Sequence, residues 1–311
     1  MKTAFVFPGQ GSQNVGMGRD LYDHFDEARQ SFSEASDALG HDVTNLCFQG
    51  PKEELDKTFR TQPCLLTASI AAFRVLASQG ITPDAVAGHS LGEYSAITAA
   101  GVLTFSDALR LTEKRGTFMQ EAVPEGKGLM AAILGLERKK VDDICHSVGS
   151  GYVAPANYNS PGQIVIAGEK QAVEDAMKLA KEAGAKRAIA LAVSAPSHCS
   201  LMAGASARLS DLLNTLELRS PSVPLMNNAD ALFLRDADSI RTSLVKQLNS
   251  PLLWEDSVRN MRASGIDTFI EVGPGKVLSG LIKRIEPDAR IFNVENVESL
   301  NKTLEALKAS N

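Results

Sequence analysis

The sequence predicts an α/β fold in which a smaller unit is set into a larger one, and three observations carry that reading. Short apolar runs repeatedly end in glycine-containing turns and are followed by helical periodicity, the pattern of parallel strands joined by crossover helices. The middle of the chain breaks this rhythm with the order strand, helix, strand, strand, helix, strand, the split arrangement of a ferredoxin-like unit. Turn-rich stretches, Val123-Pro124-Glu125-Gly126 and Ser194-Ala195-Pro196-Ser197, separate the two patterns and read as borders.

The large domain is expected from residues 1–124 and 195–311. Its clearest strands are 4–7 before Pro8-Gly9-Gln10-Gly11, 85–87 before Gly88, and 268–272 before Gly273-Pro274-Gly275. Each turn opens a helix, and ligands of open parallel sheets gather at the carboxyl ends of the strands, so chemistry is sought at these turns. The small ferredoxin-like domain is expected from residues 125–194, with strands at 128–136, 152–158, 163–167 and 187–193 and helices at 139–148 and 170–183.

A chain of 311 residues, 44% of them hydrophobic, can bury cores for about two domains. Lys and Arg total 32 against 37 Asp and Glu, a net charge of -5 that argues against nucleic acid as a partner. Only four apolar residues, 4–7, stand between Met1-Lys2-Thr3 and Pro8, too few for a signal peptide, and no apolar run approaches a membrane span. Cys47, Cys64, Cys145 and Cys199 lie far apart and form no C-x-x-C pair, so no metal site and no disulfide framework is expected. A reducing cytoplasm, no membrane contact and a monomer are the expectations.

Gly88-His89-Ser90-Leu91-Gly92 fits G-x-S-x-G between a predicted strand and a predicted helix, the setting of a nucleophile elbow in an α/β-hydrolase-like domain. The other reading is a tight turn with an incidental serine. A serine hydroxyl needs a base, and five histidines are present. His24, His41, His89 and His146 read as surface or packed imidazoles. His198 lies in Pro196-Ser197-His198-Cys199, just before an amphipathic pattern over 201–216, where a helix start would disfavour imidazolium. It reads equally as a helix-capping loop residue.

On a helical wheel over 107–122, Arg115 is the single charge in a stripe of Ala108, Leu111, Phe118, Met119 and Ala122. A buried guanidinium needs an anion, either an internal carboxylate or that of a ligand held bidentately. Two glycine-rich turns fail as nucleotide motifs: Asn14 stands where a dinucleotide fingerprint needs glycine, and Val277 where a P-loop needs Ser or Thr. The Pro8-Gly9-Gln10-Gly11 loop reads as a plain turn or as the donor of one oxyanion amide beside that of Leu91.

With these residues placed, the chain resembles the bacterial malonyl-CoA:acyl carrier protein transacylases of fatty acid synthesis over nearly all its length. The likeness rests on Phe7-Pro8-Gly9-Gln10-Gly11-Ser12-Gln13, GHSLGEY from Gly88 to Tyr94, NSPGQIVIAG from Asn159 to Gly168, Pro196-Ser197-His198, and EVGPGK from Glu271 to Lys276. It departs from the family pattern at Ala195 and at Asn249-Ser250, neither a proposed catalytic position. The resemblance implies Ser90 as nucleophile, His198 as base, the amides of Gln10 and Leu91 as oxyanion hole, and Arg115 as clamp for a malonyl carboxylate. It also implies that the main-chain carbonyl of Gln247 orients the histidine.

The resemblance further implies malonyl-CoA and an acyl carrier protein as partners, with a coenzyme A thioester as substrate and no bound cofactor. Carrier docking is expected near Lys186-Arg187 or Lys283-Arg284, where ordinary solvated charges are the other reading. Three rivals remain: a free-standing acyltransferase of a polyketide pathway, a serine thioesterase or hydrolase, and a non-catalytic carrier-binding module.

Overall fold

The computed structural model describes residues 2–124, 126–191 and 195–309. Among the described residues ten strands form two sheets: β1 (Thr3–Phe7), β2 (Ala85–Gly88), β3 (Gly128–Leu134), β4 (Val153–Ser160), β5 (Gln163–Glu169), β6 (Arg187–Ala190), β7 (Leu225–Met226), β8 (Phe233–Leu234), β9 (Thr268–Val272) and β10 (Arg290–Val294). The larger sheet has the order β10-β9-β1-β2-β7-β8, parallel except for the β7/β8 pair. The three strands expected from the sequence are thus its centre.

The β1 strand, Thr-Ala-Phe-Val-Phe, is buried throughout because helices cover both faces of the sheet, which is why its sequence reads as a continuous apolar run. Phe5 and Phe7 pack on one side with the helices Asp26–Leu39, Thr58–Ser78 and Phe105–Ala122. Ala4 and Val6 face the other side, toward Trp254, Val258 and Leu281. The carboxyl ends of β1 and β2 align, Phe7 opposite Gly88, so both following turns open at one edge of the sheet.

The second sheet is antiparallel with the order β4-β5-β3-β6, and the helices Arg138–Ser147 and Lys170–Glu182 pack on it, which is the ferredoxin-like arrangement. The strand expected over 187–193 runs from Arg187 to Ala190; residues 192–194 lie outside the described residues, as does Glu125, so both expected borders fall there. The β4 strand is also tied to the larger unit, since Tyr158 N donates to Leu252 O and Leu252 N to Ala156 O at 2.9 and 2.8 Å. Among the described residues no helix is long and apolar enough to cross a membrane.

Candidate active site

A cleft of about 220 Å³ opens between the two sheets, and Gln10, His89, Ser90, Asn159, Gln163 and His198 are among its walls. Ser90 sits at the turn from β2 into the helix Gly92–Ala99 with φ 53°, a left-handed backbone that costs a serine about 1 kcal/mol or more. The flanking glycines permit the turn sterically. A Cβ on Gly88 would stand 1.9 Å from the main-chain carbon of Gly92, and one on Gly92 2.0 Å from the oxygen of Phe7. Asn228 holds the turn from below, accepting from Ser90 N at 2.8 Å and donating to Gly88 O at 2.7 Å.

His198 is buried, and its ring bridges the two halves of the site. Nδ1 lies 2.8 Å from the main-chain oxygen of Gln247, which can only accept, so Nδ1 carries the proton and Nε2 the lone pair. The Ser90 hydroxyl, 2.8 Å from Nε2, is therefore the donor in that pair. Burial and the neighbouring Arg115 cation depress the imidazole to a pKa of about 3, leaving it neutral and able to take a proton. His198, with φ 60°, stands just before a helical run, as expected: a tight helical turn, Ser200–Met202, leads directly into the helix Ala203–Leu213. Burial, and after it Arg115, keep the ring neutral.

Arg115, on the helix Phe105–Ala122, is fully buried as its place in the apolar stripe predicts. Nη1 donates to Gln62 Oε1 at 2.8 Å, and Nη2 donates to Gln247 Oε1 at 3.0 Å and to Ser90 Oγ at 3.3 Å. The guanidinium lies 5.0 Å from the Tyr94 ring centre. Its Nε has no partner, and among the described residues no carboxylate lies within 4.0 Å of it. Of the two readings open in the sequence, a direct internal ion pair is absent among the described residues; the carboxyl of Glu93 reaches Arg115 only through the Gln247 side chain. The site therefore holds a desolvated cation with spare donors beside a serine hydroxyl.

The main-chain N–H groups of Gln10 and Leu91 have no protein acceptor among the described residues. The loop bearing Gln10 lies hard against the elbow, since a Cβ on Gly9 would meet His89 O at 2.3 Å. His89 is half-buried and packed, as expected, with Nε2 2.7 Å from Asn159 Oδ1 and its ring edge-on to Trp254. Exposed His24 and His146 and half-buried His41 stand apart from the cleft.

The matching family model, described as an acyl transferase domain, spans residues 4–300. The chain belongs to the acyl transferase domain family. Within this family it is 50% identical over 309 residues to the malonyl CoA-acyl carrier protein transacylase of Haemophilus influenzae, covering 98% of this chain and 99% of that one. An acyl carrier protein S-malonyltransferase from Vibrio cholerae superposes with a TM-score of 0.95 at 49% identity, covering 97% of this chain and 100% of the other. A malonyl-transacylase solved in complex with its type II PKS acyl-carrier protein superposes with a TM-score of 0.97 at 49% identity, over 98% and 100% of the two chains.

The acyl transferase site also contains residues that sequence reasoning passed over. Gln62, Glu93 and Asn228 make the contacts that hold Arg115, Gln247 and the elbow. Glu93 alone gave a signal, as the single charge in the otherwise uncharged run Gly92–Ala99. Burial pushes its carboxyl up to about 7.

Proposed function

We propose that this chain transfers the malonyl group of malonyl-CoA to the phosphopantetheine thiol of an acyl carrier protein, through a malonyl ester on Ser90, in the service of fatty acid synthesis. The observation that carries the reading is the buried Arg115 guanidinium, which has no carboxylate partner among the described residues and lies 3.3 Å from the Ser90 hydroxyl. A donor whose acyl group ends in a carboxylate would supply the missing anion where the acyl group becomes attached.

In this reading Ser90 Oγ attacks the thioester carbonyl while His198 Nε2 takes its proton, and the Gln10 and Leu91 amides receive the oxyanion. The imidazolium returns the proton to the departing coenzyme A thiolate. In the second half-reaction His198 takes the proton of the carrier's thiol, whose sulfur attacks the malonyl ester, and Ser90 regains its hydrogen. Gln247 orients the imidazole through its main-chain oxygen, 2.8 Å from Nδ1. The unit that carries β3 to β6 acts as a lobe over the cleft in this scheme. The four free cysteines of the chain, Cys47, Cys64, Cys145 and Cys199, fit a reducing cytoplasm.

Incubation with malonyl-CoA and a pantetheine-bearing carrier tests the proposal. Malonyl on the carrier thiol, dependent on Ser90, is the expected product. Malonate released at the same rate with and without carrier would make the protein a hydrolase. The likeness to a transacylase of a type II PKS carrier favours one second reading, a polyketide pathway, which preference between the two kinds of carrier decides.

A further inference from the structure

We propose that Glu93 is a positioning residue of this site, because its Oε2 accepts hydrogen bonds from both arms that shape the Ser90–His198 pair. The first arm runs through Asn228, whose main-chain N–H donates to Glu93 Oε2 at 3.1 Å and whose side chain bridges Ser90 N and Gly88 O. The second runs through Gln247, whose Nε2 donates to Glu93 Oε2 at 2.8 Å and to Ser90 O at 3.0 Å. Gln247 in turn accepts from Arg115 Nη2 through its side chain and from His198 Nδ1 through its main chain. Glu93 follows Ser90 by three residues on the helix the elbow opens, so one carboxyl oxygen ties the strained turn to the histidine and the arginine.

Burial makes the argument sharper. Glu93 has no exposed surface, and its Oε1 has no partner. A carboxyl so placed costs stability relative to an apolar side chain of its size. Its position is explained by the two donors that meet at Oε2: an apolar residue would leave two buried N–H groups unsatisfied and free both arms to shift.

The inference rests on the Ser90–His198 reading above but not on the identity of the donor, so its test includes a probe blind to malonyl. The wild type, Glu93→Gln, Glu93→Met and Asn228→Ala are compared for the rate of Ser90 labelling by a fluorophosphonate and for kcat and KM of malonyl transfer. Glu93→Met should slow labelling and lower kcat at least about 10-fold with KM changed less than about 3-fold. Glu93→Gln, whose amide oxygen can accept from the same donors, should stay within about 3-fold of the wild type. Asn228→Ala should slow labelling about 10-fold and carries the test if Glu93→Met does not fold. Equal losses in Glu93→Gln and Glu93→Met, or a folded Glu93→Met or Asn228→Ala that labels at the wild-type rate, would overturn the assignment. A wild type that labels but refuses malonyl-CoA would remove the proposed function and leave this test standing.

Discussion

His198 Nδ1 is held 2.8 Å from the main-chain oxygen of Gln247, so in the proposed mechanism the residue that orients the base does so with its backbone. Among the described residues no carboxylate contacts the His198 ring, and the proposed base function rests on one imidazole. His198→Ala should therefore lower the rate of Ser90 acylation by about 100- to 10,000-fold, read by rapid quench with malonyl-CoA. Retention of more than about a tenth of the rate would place the base elsewhere.

Arg115 gives the second prediction. Arg115→Ala should cost malonyl transfer about 2 to 5 kcal/mol, or roughly 30- to 5,000-fold in kcat/KM, while Ser90 remains open to acetyl-CoA. Parallel progress curves with the two donors check this. Equal losses towards both would contradict a carboxylate clamp.

The depressed imidazole sets a pH dependence. A folded-state pKa of about 3 means that His198 stays unprotonated well below the range in which a free imidazole charges, so acylation should not titrate with it near neutrality. In the Glu93→Gln background, which removes the carboxyl that burial pushes up to about 7, the acylation rate should be flat from about pH 8 to about pH 5. A fall centred near 6.5 would show a solvated base. For stability the sign is opposite to that of a salt-bridged histidine: the unfolded chain binds the proton between about 6.5 and 3, so the His198 contribution weakens as pH falls through that window.

The glycine of the elbow is tested by packing. Gly92→Ala places a methyl 2.0 Å from the oxygen of Phe7, in the central strand, where neither side can yield. Urea unfolding should show a loss of at least about 3 kcal/mol, or no folded protein. A loss under about 1 kcal/mol would mean that the strand-to-helix contact is looser than described.

Much of this architecture is legible in the sequence because its signals are local. The buried centre of the larger sheet announces itself as apolar runs, the elbow as two glycines four apart, and Arg115 as one charge in an apolar stripe. The outer strands are not: β7 and β8 have two residues each, and the half-buried β10 opens with Arg290, so none shows an apolar run long enough to read. The supporting shell is hidden for another reason. Gln62 lies 53 positions from Arg115, and Asn228 lies 138 from Ser90, distances that only the folded sheet closes. The helix start expected after His198 is found, as a tight turn from Ser200 to Met202 that leads straight into Ala203–Leu213.

The two basic pairs expected to dock a carrier lie on one surface. Lys186 and Arg187 flank the start of β6, Arg187 stands level with Leu134 and Gln163 across the small sheet, and Gln163 accepts from Arg284. All four cations, Lys283 included, are exposed. Charge reversal at both pairs should slow transfer to an acidic carrier, more so at low salt, and leave Ser90 malonylation by malonyl-CoA unchanged. Unchanged transfer would remove this surface.

The central claim, a malonyl ester on Ser90, is tested most directly by the intact mass of the protein after brief exposure to malonyl-CoA and, separately, to acetyl-CoA, with Ser90→Ala as the control. The account predicts a malonyl adduct on the wild type, absent from Ser90→Ala and formed in preference to the acetyl one. No adduct with malonyl-CoA left intact, or an adduct that persists in Ser90→Ala, would contradict it.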